Sequence, residues 1–258
     1  MKRILSLLFL MCMVAVTSRA SNIIEQGDSA YSANDFRKAI EYYNAAIEQY
    51  GTSPQLYYNL GNAYYRSDSI ARAILSYNRA LKLDPSYKDA RFNLQFVNDK
   101  YNLKAADRSA TSIFADDLTY ALHPDTWALI SLLLFILMLS GIAAYIYLNS
   151  TLYRKIGFFA ALLLVPLTVI SIVISFKAHS AVTSDKSCIV VVPSAQLSTT
   201  PSIPVSPSQQ AFTVPEGYRF VIKDYIATPL DNSTDGWYEV KVDEDNSAWI
   251  SSNDIELI

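Results

Sequence analysis

The chain of 258 residues has two cysteines, Cys12 and Cys188, and two histidines, His123 and His179. Cys12 falls in a segment expected to be removed, which leaves Cys188 without a partner and excludes a disulfide framework even in an oxidising compartment. The folded parts must therefore stand on packing. Both histidines flank the apolar stretches described below, and a metal shared between two lone histidines would still need further ligands. No phosphate-cradling glycine loop, paired-histidine zinc motif or nucleophile elbow is present. The chain therefore offers no catalytic residue, no cofactor site and no metal site, and it reads as a non-enzyme. Positive charge is also scarce. Twenty-one Lys and Arg stand against 24 Asp and Glu overall, and from Asp185 to Ile258 only Lys186, Arg219, Lys223 and Lys241 face eleven carboxylates. A nucleic-acid partner needs a basic face to displace counterions, so nucleic acid is excluded as a main partner.

Charge is missing altogether from Thr126 to Leu148 and from Ile156 to Phe176. At about 1.5 Å per residue each stretch exceeds a hydrocarbon layer of about 30 Å, so both are expected to be transmembrane helices, over 126–148 and 156–176. The turn between them, 149–155, carries only Arg154 and Lys155, and short basic loops stay in the cytoplasm. An even number of crossings then puts everything before Thr126 and everything after Phe176 on the other side. Trp127, Tyr145, Tyr147 and Tyr153 fit interfacial aromatic belts, and Pro166 is expected to kink the second span. With no ionisable group inside either span, ion transport is not expected. Residues 1–20 have the layout of an export signal: Lys2 and Arg3, an apolar run from Ile4 to Val16, and small residues at Ser18 and Ala20. That signal places Ser21 onward on the same external side.

Between Ser21 and Lys104 the chain repeats at 34 residues: Gly27 recurs as Gly61, Tyr31 as Tyr65, Ala39 as Ala73, Tyr43 as Tyr77 and Ala46 as Ala80. This is the period of the tetratricopeptide unit, two antiparallel helices that pass closely at the small residues. The second copy, ending on Asp84-Pro85, resembles the tetratricopeptide consensus almost throughout. The first departs from it at Gln26, where the second has Leu60, and in a proline displaced to Pro54. Lys88 to Lys104 starts as a third first-helix, with Phe92-Asn93-Leu94 echoing Tyr58-Asn59-Leu60, then turns polar, as a capping helix would. Two repeats and a cap over 21–104 fall below the usual minimum of about three, so a partner or a second copy is expected to complete the stack. Repeats of this kind hold an extended peptide or a helix on the face lined by each first helix. Asp28 and Tyr31 in the first repeat, Asn59, Asn62, Tyr65 and Arg66 in the second, and Asn93 on the cap are the candidate partner-binding residues. Their amides suit a peptide backbone; the same asparagines are also compatible with a merely solvated face. Resemblance to carboxylate-clamp repeats is partial, since Asn62 and Asn93 fit but Tyr58 stands where a lysine is needed.

Residues 105–125 and 177–187 read as linkers, the first lying along the membrane surface. From 188 to 258 five short strands are expected, at Cys188–Val192, Phe212–Val214, Arg219–Lys223, Trp237–Val242 and Ala248–Ile250. The closing segments GWYEVKV and WISSNDIELI resemble bacterial SH3-like domains, with Ser194 to Gln210 as a long first loop. Ser251 and Asp254 stand where a proline-binding groove needs Pro and Tyr. Trp237 is the candidate exposed binding aromatic of this domain, whereas Trp249 and Ile250 are expected to pack its interior.

The order of parts, a signal, an all-α tetratricopeptide (TPR) helical repeat, a two-helix transmembrane hairpin and a small all-β SH3-like barrel, resembles BatE-like proteins of the Bacteroides aerotolerance (Bat) operon. The resemblance implies a bacterial inner-membrane protein with both TPR and SH3-like domains in the periplasm. It also implies partners among von Willebrand A-domain Bat proteins and a MoxR-type ATPase system. Protein binding as a scaffold is the expected function; binding peptidoglycan or sensing the envelope through the SH3-like domain is the alternative.

Overall fold

The structure is a computed structural model describing residues 23–103, 110–183, 186–204, 206, 210–227, 236–243 and 246–258. The expected export signal, 1–20, lies outside the described residues. The chain forms two compact units, one joining the chain up to Leu83 with Tyr87–Ala105 and Lys186–Ile258, the other formed by Asp84–Ser86 and Ala106–Asp185.

The first unit begins with five helices: α1 over 23–32, α2 Phe36–Tyr50, α3 Pro54–Arg66, α4 Ile70–Leu83 and α5 Lys88–Lys100. Ser53 caps α3 by accepting from the Leu56 amide at 3.1 Å, and Pro54 occupies the first turn, where its missing N–H costs nothing. The displaced proline of the first copy is thus a helix start. The two glycines of the period are the closest points of each helix pair. A Cβ on Gly27 would come within 2.6 Å of the Tyr43 ring, and one on Gly61 within 2.6 Å of the Tyr77 ring. Ala39, Ala46, Ala73 and Ala80 are wholly buried around them.

The repeat period also appears in the backbone. Asn34, Asp68 and Asn102 adopt left-handed conformations with φ of 61°, 61° and 54°. Each is followed by an amide that reaches back five residues, Asp35 to Ala30, Ser69 to Tyr64 and Leu103 to Asn98, at 2.9, 2.9 and 2.8 Å. These closures satisfy helix-end carbonyls, and Asn and Asp tolerate the left-handed region better than most residues. Helix α5 therefore ends in the same turn as α1 and α3 and is the first helix of a third repeat. At the step of Gly27 and Gly61 it carries Gln95, which is exposed, so no second helix approaches there. That is the polar outer face of a cap.

The C-terminal part is one antiparallel sheet of strands β1 Ser187–Val190, β2 Ser194–Ser198, β3 Gln210–Pro215, β4 Arg219–Ala227, β5 Gly236–Lys241, β6 Ser247–Ser251 and β7 Ile255–Leu257. Their order is β3-β2-β6-β5-β4-β1-β7. All seven send residues into one core that includes Cys188, Leu197, Val214, Phe220, Val240, Ile250 and Ile255. Two strands are absent from the sequence reading. The supposed long loop contains β2, whose polar residues alternate with buried Ala195 and Leu197, and the three-residue β7 closes against β1. Burial pushes the Cys188 thiol up to about 12, so at neutral pH it is a protonated packing group. A maleimide is expected to leave Cys188 unmodified in the folded protein and to label it in denaturant; rapid labelling of folded protein would contradict its burial.

The sheet also docks on the repeat. Ile189 is wholly buried, but in the core of Ile74, Tyr77 and Val97 rather than among its own sheet residues. Arg79 donates to the Leu257 carbonyl at 2.8 Å and lies 3.4 Å from a Glu256 carboxylate oxygen, and Lys82 donates to the Ile258 carbonyl at 2.5 Å. Helix α4 is consequently buried nearly all round. The outer face expected to need a partner or a second copy is covered by the chain's own C-terminal strands.

The second unit holds α6 Ala110–Thr119, α7 Pro124–Tyr147 and α8 Thr151–Thr183. Helices α7 and α8 are long and apolar enough to cross a membrane. The stretch read as a linker, 105–125, contains α6, fixed by Lys177 to Asp116 at 2.8 Å and by the Trp127 indole N–H to the Thr119 carbonyl at 3.0 Å. Ten residues are too few to display a helical period. The turn between the long helices is shorter than the expected 149–155: Arg154 and Lys155 lie in the first turns of α8, and the Arg154 Nε donates to the Tyr145 carbonyl at 3.1 Å. The two helices meet at glycine, where a Cβ on Gly157 would come within 2.6 Å of the Gly141 carbonyl oxygen. Farther along, Ser131 and Ser171 share a hydrogen bond at 2.8 Å. Small residues and hydroxyl pairs of this kind hold helices together where no hydrophobic force acts between them.

Candidate functional site

On the face lined by α1, α3 and α5, the repeat builds a ladder of hydrogen bonds. The Tyr43 hydroxyl donates to Asp28 Oδ1 at 2.6 Å, and Asn59 Nδ2 donates to the same oxygen at 3.3 Å. One repeat later the Tyr77 hydroxyl donates to Asn62 Oδ1 at 2.7 Å and Asn93 Nδ2 donates to it at 2.8 Å. Each rung thus joins a second-helix tyrosine to two consecutive first helices. Burial raises both tyrosine hydroxyls above their ordinary range, with the Asp28 bond adding to the effect at Tyr43, so both remain donors across ordinary pH.

Five of the eight expected residues, Tyr31, Asn62, Tyr65, Arg66 and Asn93, line one pocket of about 300 Å³. Asp28 and Asn59 form the neighbouring rung. The asparagines are neither simply solvated nor wholly open: the ladder uses Asn62 Oδ1 and Asn93 Nδ2, while Asn62 Nδ2 and Asn93 Oδ1 have no hydrogen-bond partner among the described residues. One donor and one acceptor are what an extended peptide backbone requires.

The rest of the wall is aromatic and was not anticipated. Phe92 and Phe96, one turn apart on α5, are 70% and 50% exposed, and Val97 and Tyr77 close the floor. An exposed F-x-x-x-F pair on an otherwise polar helix is the available signal, but the reading of that helix as a cap gives it Asn93 as its one binding residue. The Phe96 and Tyr65 rings meet edge to face at 6.1 Å, and Lys100 donates to the Tyr65 hydroxyl at 2.9 Å. Arg66 lies over the Phe36 ring at 4.7 Å and donates to Asn34 Oδ1 at 3.3 Å. These contacts hold the rims in place before any partner arrives.

Trp237 is elsewhere and does not have the expected exposure. It stands in β5, opposite Ile226 and Ser251, and is only 8% exposed. Its place between two paired strands makes it a packing residue. Ile250 is buried as expected and Trp249 is half-buried.

Residues 24–88 match the tetratricopeptide repeat family. A serine/threonine-protein phosphatase T from Aspergillus oryzae is 29% identical over 73 residues, which cover 28% of this chain. The chain spans only 15% of the length of that relative.

Proposed function

We propose that this protein is a membrane-anchored binding scaffold and not an enzyme, whose tetratricopeptide groove holds an extended segment of a partner protein. The observation that carries the reading is the juxtaposition of Asn62 Nδ2 and Asn93 Oδ1 with the exposed Phe92 and Phe96 in one pocket. The amides would take the partner's backbone and the aromatics one of its apolar side chains. The C-terminal sheet is read as an SH3-like barrel, and the whole chain as a BatE-like protein of a Bat-type complex linked to aerotolerance or envelope stress. Its partners in that setting are von Willebrand A-domain proteins and a MoxR-type ATPase system. As the test, co-purification of membrane proteins with full-length protein from detergent extract should be lost in Phe92→Ala/Phe96→Ala and kept in Val221→Ser/Ile226→Ser. The second pair changes exposed residues of β4, the surface that favours a peptidoglycan-binding or envelope-sensing tail. Loss in the β4 variant alone would support that second reading.

Helices α7 and α8 are read as a hairpin through a bacterial inner membrane, with repeat and sheet both periplasmic. The shared core of Ile74 and Ile189 supports this reading, because chain before α7 and chain after α8 must then lie on one side. A reporter active only outside the cytoplasm, fused after Lys104 or after Ile258, is expected to be active in both places. Activity at one junction and not the other removes the hairpin.

A further inference from the structure

Helix α4 is shared between the groove and the sheet. On one side its Tyr77 hydroxyl fixes Asn62 and, through it, Asn93. About 140 to 200° around the helix, at roughly 100° per residue, Arg79 holds β7 by the Leu257 carbonyl and Glu256, and Lys82 holds the Ile258 carbonyl. Between them the sheet presses on α4 and on the turn that ends α5, the helix that carries Asn93. Gly217, with φ of 81°, sits where a Cβ would be 2.7 Å from Ile74 on α4 and 2.9 Å from Leu103 at the end of α5. Ile189 shares a core with Tyr77 and Val97, and both of those line the pocket.

We infer that the C-terminal sheet is a positioning element for the groove: by clamping the outer face of α4 and the end of α5, it sets the separation of Asn62 and Asn93. The clamp is distinct from the sheet's own core. Cys188 and Val190 face that core, while Ile189 between them points to the repeat, as alternation along a strand requires. Docking can therefore be broken without emptying the sheet's own core, and at Arg79 and Lys82 without emptying the core of the repeat. Arg79 and Lys82 act on the groove only through α4 and are positioning residues. The functional meaning of the clamp rests on the groove being the partner site.

The test uses full-length protein in detergent micelles, carrying Cys12→Ser so that Cys188 is the only thiol, and compares Arg79→Ala/Lys82→Ala and Ile189→Ser with the parent. Amide exchange is read by mass spectrometry, and the integrity of the sheet by resistance of Cys188 to a maleimide. Amides of α5 are expected to exchange about tenfold faster in both variants and those of α2 to stay within about twofold, as local opening requires, with Cys188 still protected. Unchanged α5 exchange overturns the inference, whether or not β7 loosens. An equal rise in α2, or loss of Cys188 protection in both variants, also overturns it, since repeat and sheet would then open as one body. No partner enters the experiment, so its failure leaves the groove as partner site untouched, and loss of partner binding leaves the clamp untouched.

Discussion

Gly61→Val should unfold the repeat well below the melting temperature of the parent protein. A Cβ at this position would lie 2.6 Å from Tyr77 Cε1 and 2.7 Å from Cδ1, and the ring has nowhere to move. Tyr77 is 1% exposed, its hydroxyl is committed to Asn62, and Ala73 and Ala80 are wholly buried on the same helix. Overpacking of this kind costs about 1 to 3 kcal/mol, and the branched valine belongs at the upper end. For a unit of about 150 to 250 residues about 1 kcal/mol shifts the melting temperature by roughly 2 to 4 °C, so a fall of about 6 to 12 °C is expected. Near-ultraviolet circular dichroism of full-length protein follows the packing of the tyrosines, eleven of the chain's eighteen lying between Tyr31 and Tyr101. Gln95→Ala, at the same step of the third copy, is exposed and should stay within about 0.5 kcal/mol of the parent. Equal melting of parent and Gly61→Val would mean that the helices do not meet at this glycine.

Phe92→Ala/Phe96→Ala should abolish partner binding while leaving stability nearly unchanged. Two aromatic side chains 70% and 50% exposed contribute little to the fold but are the largest apolar surface in the groove. Aromatic anchors buried by a partner typically cost about 2 kcal/mol each when truncated, which is roughly 30-fold in affinity apiece. The asparagine pair is a poorer probe. Asn62→Ala leaves the buried Tyr77 hydroxyl without its acceptor, and such a loss costs about 1 to 3 kcal/mol of stability. Reduced binding in Asn62→Ala/Asn93→Ala therefore mixes lost contact with a loosened repeat. A phenylalanine variant that binds every partner as the parent does would remove the pocket from the function.

The repeat was the most legible part of the chain because its determinants are local. Gly27 and Gly61, Tyr43 and Tyr77, and the buried alanines recur at one period, and each pair makes the same contact in space. The groove was half legible. The amides and Tyr65 were found from their place on the first helices, but their mutual hydrogen bonds depend on neighbouring helices, so how much of each amide stays open could not be read from sequence. Trp237 was misread because its exposure depends on strand pairing. Strand β2 is mostly polar and β7 only three residues long, so neither announces itself, and the Gly141–Gly157 contact depends on how two helices cross. Docking of the sheet on α4 had no local signature, since Ile74 and Ile189, or Arg79 and Leu257, are joined only through the whole fold.

The most direct measurement on the groove is site-specific photo-crosslinking from full-length protein in the intact cell, with the photoreactive side chain placed at position 96 and, as a control, at position 221. A discrete protein adduct from position 96 that disappears when Phe92→Ala is added, with none from position 221, is the expected result. Adducts from position 221 and none from position 96 would contradict it.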